Sequence, residues 1–328
     1  MTLKELLATG KQSAQGINIY RNKETEIWRY NSKRRNNRIF AEESYKNLKY
    51  ISFPLHIIIE PTNNCNMMCE MCLRNVMTRP KGYMDWSVFV KVVDECSKEQ
   101  VHSFSLYMLG EPLLHPDIRE MINYSKRMTI PYVDVSTNAL RDMKCLLGTA
   151  LDELIISLDG IDNETYAKNR RSDYSIVEEN ILSFLEAKKK GSYEYPLIRL
   201  QIIDMESTRP YLEQFIDKWL KKVDVIYVKK LEGMVQGLNN KLVSPEDVSK
   251  RLENRKPCKE LYFTHNINWN GDHAFCCHDP KGMSILGNMN NMSIKQAWCG
   301  YKKELEMKCQ KQGVFRGLCK TCVDYDNW

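Results

Sequence analysis

At 328 residues the chain is long enough for one large domain plus a smaller one around a substantial buried core. No run of eighteen apolar residues occurs, so a helical membrane span is excluded, and the start Met1-Thr2-Leu3-Lys4-Glu5 lacks the pattern of a secretory signal. Twelve cysteines in such a chain point to metal ligation in a reducing, cytoplasmic compartment rather than to a disulfide framework.

The net charge of +6 sits at the front: residues 1–50 hold eleven Lys and Arg against five Glu, and the remainder is neutral. The cluster Lys33-Arg34-Arg35-Asn36-Asn37-Arg38 is a candidate contact for a phosphate-bearing partner, with a solvated arm as the plainer reading. No nucleic-acid motif accompanies it. The apolar segment Ile51 to Ile59 reads as a buried parallel strand. Strands are predicted near 53–59, 102–108, 131–136, 153–158, 197–203 and 223–229. Helices are predicted near 86–98, 117–127, 139–148, 174–189 and 208–221, with Asp85 as the N-cap of the first. This alternation predicts an α/β fold with a parallel sheet and covering helices. Six units are too few for an eight-stranded barrel. A partial (β/α)6 TIM-like barrel is expected, with its chemistry beyond the C-terminal strand ends.

Three cysteines, Cys65, Cys69 and Cys72, follow the first strand. Structural zinc sites usually take four ligands in two pairs, whereas iron–sulfur clusters are held by thiolates at short spacings. Three thiolates leave one iron of a four-iron cluster open to a ligand. Zinc completed by a distant His, or buried free thiols, are the competing readings. Later strand ends carry Gly110-Glu111-Pro112, Ser136-Thr137-Asn138 and Ser157-Leu158-Asp159. Each alone can cap a helix; together they set a carboxylate, hydroxyls and an amide around one mouth. Tyr107, Arg199, Gln201 and Lys229 are candidates to face a substrate inside the barrel. Cys96 and Cys145 fall in predicted helices and are expected in the core.

Over residues 51–328 these features resemble the radical SAM superfamily. The resemblance implies that Cys65, Cys69 and Cys72 ligate a [4Fe–4S] cluster whose open iron chelates the amino and carboxylate groups of S-adenosylmethionine. It implies that Glu111 meets that amino group and makes Ser136, Asn138, Ser157 and Asp159 candidate ribose or substrate contacts. Met71 stands where the family often has an aromatic residue. The implied chemistry is a 5′-deoxyadenosyl radical that abstracts hydrogen from an unactivated carbon, with electrons from a flavodoxin- or ferredoxin-type reductant. Further on, Cys258-x12-Gly271-x4-Cys276 resembles the opening of a SPASM domain, an auxiliary-cluster module, with Trp269-Asn270-Gly271-Asp272 as a hairpin turn. The sequence given stops at Trp328, soon after Cys322, as in the shortened twitch form. That form implies one auxiliary [4Fe–4S] cluster on Cys258, Cys276, Cys319 and Cys322, with a zinc ribbon as the competing reading. Cys277, expected on the strand face opposite Cys276, is a candidate hydrogen donor.

The expected divisions are a basic N-terminal extension over 1–50, a radical SAM barrel over 51–235 and a SPASM/twitch unit over 236–328. Three functions are in play. The first is dehydrogenation or epimerisation at an alcohol carbon of a sugar, cyclitol or aminoglycoside-like small molecule. It is favoured because the C-terminal ligand spacing looks like that of the butirosin-pathway deoxy-scyllo-inosamine dehydrogenase. The second is peptide or protein maturation, by crosslinking or sulfatase-type maturation. It is disfavoured because only about fifty residues precede the first predicted strand, fewer than a peptide-recognition domain needs. The third is a non-catalytic metal-binding adaptor.

Overall fold

The structure, a computed structural model, describes residues 51–231 and 244–323 and four short strands: β1 (Lys11–Gln12), β2 (Asn18–Arg21), β9 (Met234–Val235) and β10 (Leu238–Asn239). The basic cluster at 33–38 lies outside the described residues. Six strands run parallel: β3 (His56–Ile59), β4 (Ser103–Leu106), β5 (Tyr132–Thr137), β6 (Glu153–Ser157), β7 (Leu197–Asp204) and β8 (Val225–Lys230). Each pairs with the next in chain order. Parallel neighbours need crossovers: α1 (Trp86–Lys98) joins β3 to β4, α2 (Ile118–Arg127) β4 to β5, α3 (Asn163–Arg170) and α4 (Tyr174–Lys190) β6 to β7, and α5 (Leu212–Trp219) β7 to β8, while the β5–β6 crossover carries only a 3-10 turn. The Asp85 carboxylate accepts from Ser87 N at 2.7 Å and caps α1 as expected. The first strand begins at His56 rather than near 53. Pro54 has no N–H to give to a ladder.

Strand alternation sorts the side chains. Ile57, Ile59, Phe104, Leu106, Val133 and Val135 are buried in the main core with Phe89 and Val92 of α1. The opposite face is polar. Ser105 donates to both oxygens of Asp134 at 2.9 and 3.0 Å. Arg199 Nε donates to Glu153 Oε1 at 2.7 Å and Nη2 to Oε2, and the Tyr132 hydroxyl donates to Oε2 at 2.5 Å. A buried carboxylate with all its partners present is tolerable where an unpaired one is not.

The sheet continues past the barrel on both sides. β2 adds antiparallel to β8, which places part of the basic N-terminal segment on the sheet edge. At the other side β11 (Thr264–Ile267) pairs parallel with β3 and antiparallel with β12 (Asp272–Ala274), and β12 pairs with β13 (Ile285–Asn288). Asn268 to Gly271 make the hairpin turn, with Gly271 at φ +83°. Four further helices follow the barrel: α6 (Pro245–Glu253), α7 (Glu260–Phe263), α8 (Ile294–Trp298) and α9 (Tyr301–Lys311). No helix among the described residues is long and apolar enough to cross a membrane.

Two helix expectations need correction. The helix predicted over 139–148 is one 3-10 turn, Lys144–Leu146, between left-handed Ala139 (φ 57°) and Gly148 (φ 70°). Cys145 is therefore exposed, whereas Cys96 is fully buried. The chain also forms α3, which periodicity does not announce because few of its residues are apolar. Its start is a capping box, in which Asp162 accepts from Thr165 N and the Thr165 side chain accepts from Asp162 N.

Beneath β11, His265 Nε2 lies 2.9 Å from His273 Nδ1, and His273 Nε2 lies 3.1 Å from the Met292 carbonyl. A carbonyl only accepts, so His273 is protonated on Nε2, its Nδ1 accepts, and His265 donates. Burial holds both rings below the ordinary imidazole value, His265 well below, with Lys303 and His273 adding to the effect on His265. The unfolded chain takes up protons below about pH 6.5 that the folded chain refuses. Stability therefore falls as pH drops through that value. His265→Gln retains a donor without the charge, so its thermal midpoint should fall less than the native chain's between about pH 7.5 and about pH 6. Equal falls in scanning calorimetry would remove the pair as a source of acid sensitivity.

Candidate functional site

From the end of β3 the chain runs through Glu60 into the cysteine loop. Glu60 is fully buried and takes Arg79 at 2.8 Å on each oxygen. Thr62 donates to Gly82 O at 2.6 Å, and Asn63 donates to Pro80 O at 2.8 Å while accepting from Gly82 N at 2.9 Å. These bonds clamp the entrance of the loop to the 79–82 segment. Arg74 then donates to the carbonyls of Cys65 and Met67 at 3.2 and 3.0 Å, and Asn75 to that of Cys69 at 2.9 Å.

Each of the three sulfurs faces its own N–H donor. Asn138 Nδ2 lies 3.7 Å from Cys65 Sγ, Arg170 Nη1 lies 3.7 Å from Cys69 Sγ, and Arg74 N lies 3.4 Å from Cys72 Sγ. Donors directed at sulfur favour its anionic form, so the loop fits a thiolate-bound metal cluster. Burial opposes a bare charge there and pushes the Cys65 thiol up and Cys72 to about 11. A metal would displace those protons on binding.

Glu111 is set against this loop by backbone contact. A Cβ on Gly110 would stand 1.9 Å from Thr62 O and 2.8 Å from Asn64 O, so only glycine fits. Glu111 N donates to Asn64 O at 2.8 Å. The buried carboxylate accepts from Thr137 Oγ1 at 2.7 Å, Asn138 N at 2.7 Å and Leu113 N at 3.1 Å. Burial raises its pKa, and these three bonds work against the rise.

Asn138 also donates to Asn66 Oδ1 at 2.8 Å. Ser136 and Ser157 are half-buried at neighbouring strand ends on the polar face, and their hydroxyls take no partner among the described residues. Asp159 differs from its expected role. It is fully buried and accepts from Ile203 N at 2.8 Å and from Arg170 Nε and Nη2 at 2.6 and 2.5 Å. It holds Arg170 in place instead of facing the mouth. Arg170 is the site residue that sequence reasoning did not single out. The only available signal was the Asp162–Thr165 capping box, which starts the helix carrying it. Gln201 and Lys229 share the polar face by register, whereas Tyr107 lies one residue past the end of β4. Arg199 lies deeper on that face, paired to Glu153, and serves the fold.

In the C-terminal unit one cavity is lined by Cys258, Cys276, Cys319 and Cys322, with Phe275, Leu318 and Phe315 among its apolar walls. Cys258 N donates to Gln310 Oε1 at 2.8 Å, and His278 N donates to Cys276 Sγ at 3.4 Å. Burial pushes Cys258 and Cys319 well up; the hydrogen bond with Cys277, then burial, does the same for Cys276. Four thiols converging on one apolar cavity fit a closed metal site. The sequence expectation that Cys276 and Cys277 point apart fails because β12 ends at Ala274. The two lie in the turn that follows, and the ligand atoms of Cys276, Cys277 and His278 are within 4.8 Å of one another.

The family model described as the radical SAM superfamily matches residues 59–209, and the one described as an iron–sulfur cluster-binding domain matches residues 258–323. The tungsten-containing aldehyde ferredoxin oxidoreductase cofactor-modifying protein of Pyrococcus furiosus is 29% identical over 109 residues, 32% of this chain and 30% of that protein. The chain spans about a third of the length of the first curated relatives it matches. Among solved structures, BtrN in complex with AdoMet and 2-DOIA superposes with a TM-score of 0.56 at 16% identity, covering 82% of this chain and 93% of that one. SuiB of Streptococcus suis bound to precursor peptide SuiA gives 0.61 at 14% identity, covering 93% and 76%.

Proposed function

We propose, from the premise that the chain belongs to the radical SAM superfamily and carries a C-terminal SPASM domain, that it is an oxidoreductase acting on an alcohol carbon of a small polar molecule, a sugar, cyclitol or aminoglycoside-like compound, by dehydrogenation or epimerisation. Its cofactors, S-adenosylmethionine and two [4Fe–4S] clusters, supply when bound a one-electron reductive cleavage and a hydrogen-abstracting 5′-deoxyadenosyl group.

In this reading Cys65, Cys69 and Cys72 hold the first cluster, and Glu111, fixed by Thr137 and Asn138, takes the amino group of the cofactor. Arg170, fixed by Asp159, keeps a positive charge beside Cys69. Ser136, Asn138 and Ser157 reach ribose or substrate. Cys258, Cys276, Cys319 and Cys322 hold the second cluster with no corner left for substrate, a ligand set suited to electron transfer. Cys277 is the residue to test as hydrogen donor in an epimerisation. The proposed divisions are the barrel over 51–235 and the auxiliary unit over 236–328, working in the cytoplasm with a flavodoxin- or ferredoxin-type reductant.

The observation that carries the small-substrate reading is the polar set near the C-terminal strand ends of the barrel's polar face, the half-buried Ser136, Ser157, Gln201 and Lys229. Such a set suits hydroxyls and amines better than an apolar peptide side chain. The small ligand named for BtrN agrees with this. The peptide bound to SuiB keeps peptide maturation as the second reading. Product analysis decides. An oxidised small molecule supports dehydrogenation, and solvent deuterium in an unoxidised product supports epimerisation. Conversion of a precursor peptide with no turnover of any polyol would replace both.

Glu111→Gln tests the cofactor site. The amide turns an NH2 toward one of three donors and loses the charge that a cofactor ammonium needs. A hydrogen bond to a charged group contributes about 1.5–3 kcal/mol. The dissociation constant for S-adenosylmethionine, by calorimetry on reconstituted protein, should rise about ten- to hundredfold. An unchanged constant would take Glu111 out of the site.

A further inference from the structure

Segment 79–82, which clamps the entrance of the cysteine loop, is held from its other side by the auxiliary unit. The hairpin turn of that unit sets Trp269 against it. Trp269 Nε1 donates to Pro80 O at 3.1 Å, and the same carbonyl takes Asn63 Nδ2 at 2.8 Å. The indole lies flush on Gly82, where an added Cβ would stand 2.4 Å from two of its ring carbons. Trp269 N donates to Glu60 Oε2 at 3.3 Å, the carboxylate that also takes Arg79. The Arg79 stem in turn passes Gly282, whose added Cβ would be 3.2 Å from Arg79 Cδ. Segment 79–82 thus stands between the cysteine loop and a turn that comes 189 residues after Pro80 in the chain.

That segment sets both halves of the cofactor site. Gly82 O accepts from Thr62 Oγ1 at 2.6 Å and from Asn64 Nδ2 at 3.2 Å. Asn64 O accepts from Glu111 N at 2.8 Å, and Thr62 O is the atom against which Gly110 packs. Cys65 follows directly. One line of contacts therefore runs from Trp269 through Gly82 to Thr62 and Asn64, and from there to the Glu111 turn and to the first cysteine. Trp269 is half-buried and packs against the main core. A wide, stiff ring with one polar handle is suited to such a bracket.

We propose that Trp269 is a positioning residue for S-adenosylmethionine: through its hairpin turn, the auxiliary unit sets the distance between the Cys65–Cys72 loop and Glu111. The inference rests on the reading that Cys65, Cys69 and Cys72 hold the cofactor-binding cluster and that Glu111 meets the cofactor's amino group. Trp269 acts through Pro80 and Gly82, so its loss keeps every ligand side chain and shifts the frame that carries them. A shift of about 1 Å in such a frame costs about a hundredfold in rate.

The test uses the full chain, reconstituted without oxygen, with S-adenosylmethionine as probe. Trp269→Ala removes the ring and its N–H together. The dissociation constant should rise about tenfold, and release of 5′-deoxyadenosine at saturating cofactor should fall about a hundredfold. Trp269→Phe keeps a ring over Gly82 and loses one neutral hydrogen bond, so it should hold binding within about tenfold of native and recover most of the release. Asn270→Ala is the control. It removes bonds to Asp272 at 2.7 and 3.2 Å within the same turn and should leave both readouts within about twofold of native. In a Cys65→Ala, Cys69→Ala, Cys72→Ala background, the remaining paramagnetic signal and its midpoint potential should be the same with and without Trp269→Ala. A native chain that binds no S-adenosylmethionine would overturn the reading of the cofactor site and this inference with it. A native chain that binds and cleaves it, with Trp269→Ala doing both at native levels, would overturn the inference alone. Equal losses in Trp269→Ala and Asn270→Ala, or an auxiliary signal that moves with Trp269→Ala, would also overturn it, because the integrity of the turn rather than its grip on 79–82 would then set the rate.

Discussion

Gly110→Ala is expected to cut reductive cleavage of S-adenosylmethionine by about a hundredfold or more while the chain stays folded. The added Cβ would lie 1.9 Å from Thr62 O, 2.7 Å from Thr62 C and 2.8 Å from Asn64 O. All three atoms are backbone, and Thr62 is itself pinned to Gly82. No side-chain rotation relieves the clash, so the loop bearing Glu111 and the loop bearing Cys65 must separate by an ångström or more. Overpacking of this kind costs about 1–3 kcal/mol, less than a domain's whole stability. The carboxylate and the sulfurs would then be held by sound but misaligned supports, and a misplacement of about 1 Å costs about a hundredfold in rate. Release of 5′-deoxyadenosine under chemical reduction, beside the thermal midpoint, separates the two effects. A native rate would mean that this contact does not set the distance between Glu111 and the cysteine loop.

The second large effect is expected at Arg170. Arg170→Met leaves Asp159 fully buried with its oxygens bereft of the guanidinium. Removing one partner of a buried ion pair costs about 3–5 kcal/mol, because the other charge stays behind. It also deprives Cys69 of its N–H neighbour. The double variant Arg170→Met, Asp159→Asn removes the stranded charge and should recover most of the stability in chemical denaturation. It should not recover 5′-deoxyadenosine release, since Cys69 still lacks its donor. If stability and release return together, Arg170 serves folding only.

What the sequence made legible was what depends on short stretches of chain. The cysteine loop, the Glu111 turn, the six parallel strands, the Asp85 cap and the hairpin turn, expected at 269–272 and found one residue earlier at Asn268–Gly271, are each written in about a dozen consecutive residues. What it hid depends on partners far apart. β11 joins β3 across two hundred residues of chain, and no local pattern announces that pairing. Arg199 is a plausible substrate contact until Glu153, on the neighbouring strand, takes it. Asp159 looks like a ligand at a strand end until Arg170 arrives on a helix too polar to show a period. The Cys276–Cys277 error was smaller. A strand that stops at Ala274 turns an alternating pair into neighbours in a bend. β2, Asn18-Ile19-Tyr20-Arg21, shows no alternation to read and falls in a segment whose charge dominates the reading.

The most direct measurement is electron paramagnetic resonance of the anaerobically reconstituted, chemically reduced protein with and without S-adenosylmethionine, alongside iron and zinc analysis. About eight irons per chain are expected. Of the two cluster signals, one should change on adding S-adenosylmethionine and vanish in Cys69→Ala, and 5′-deoxyadenosine should accumulate. Zinc in place of iron at Cys65, Cys69 and Cys72, or a cluster there whose signal ignores S-adenosylmethionine, would contradict the radical chemistry assigned to this site.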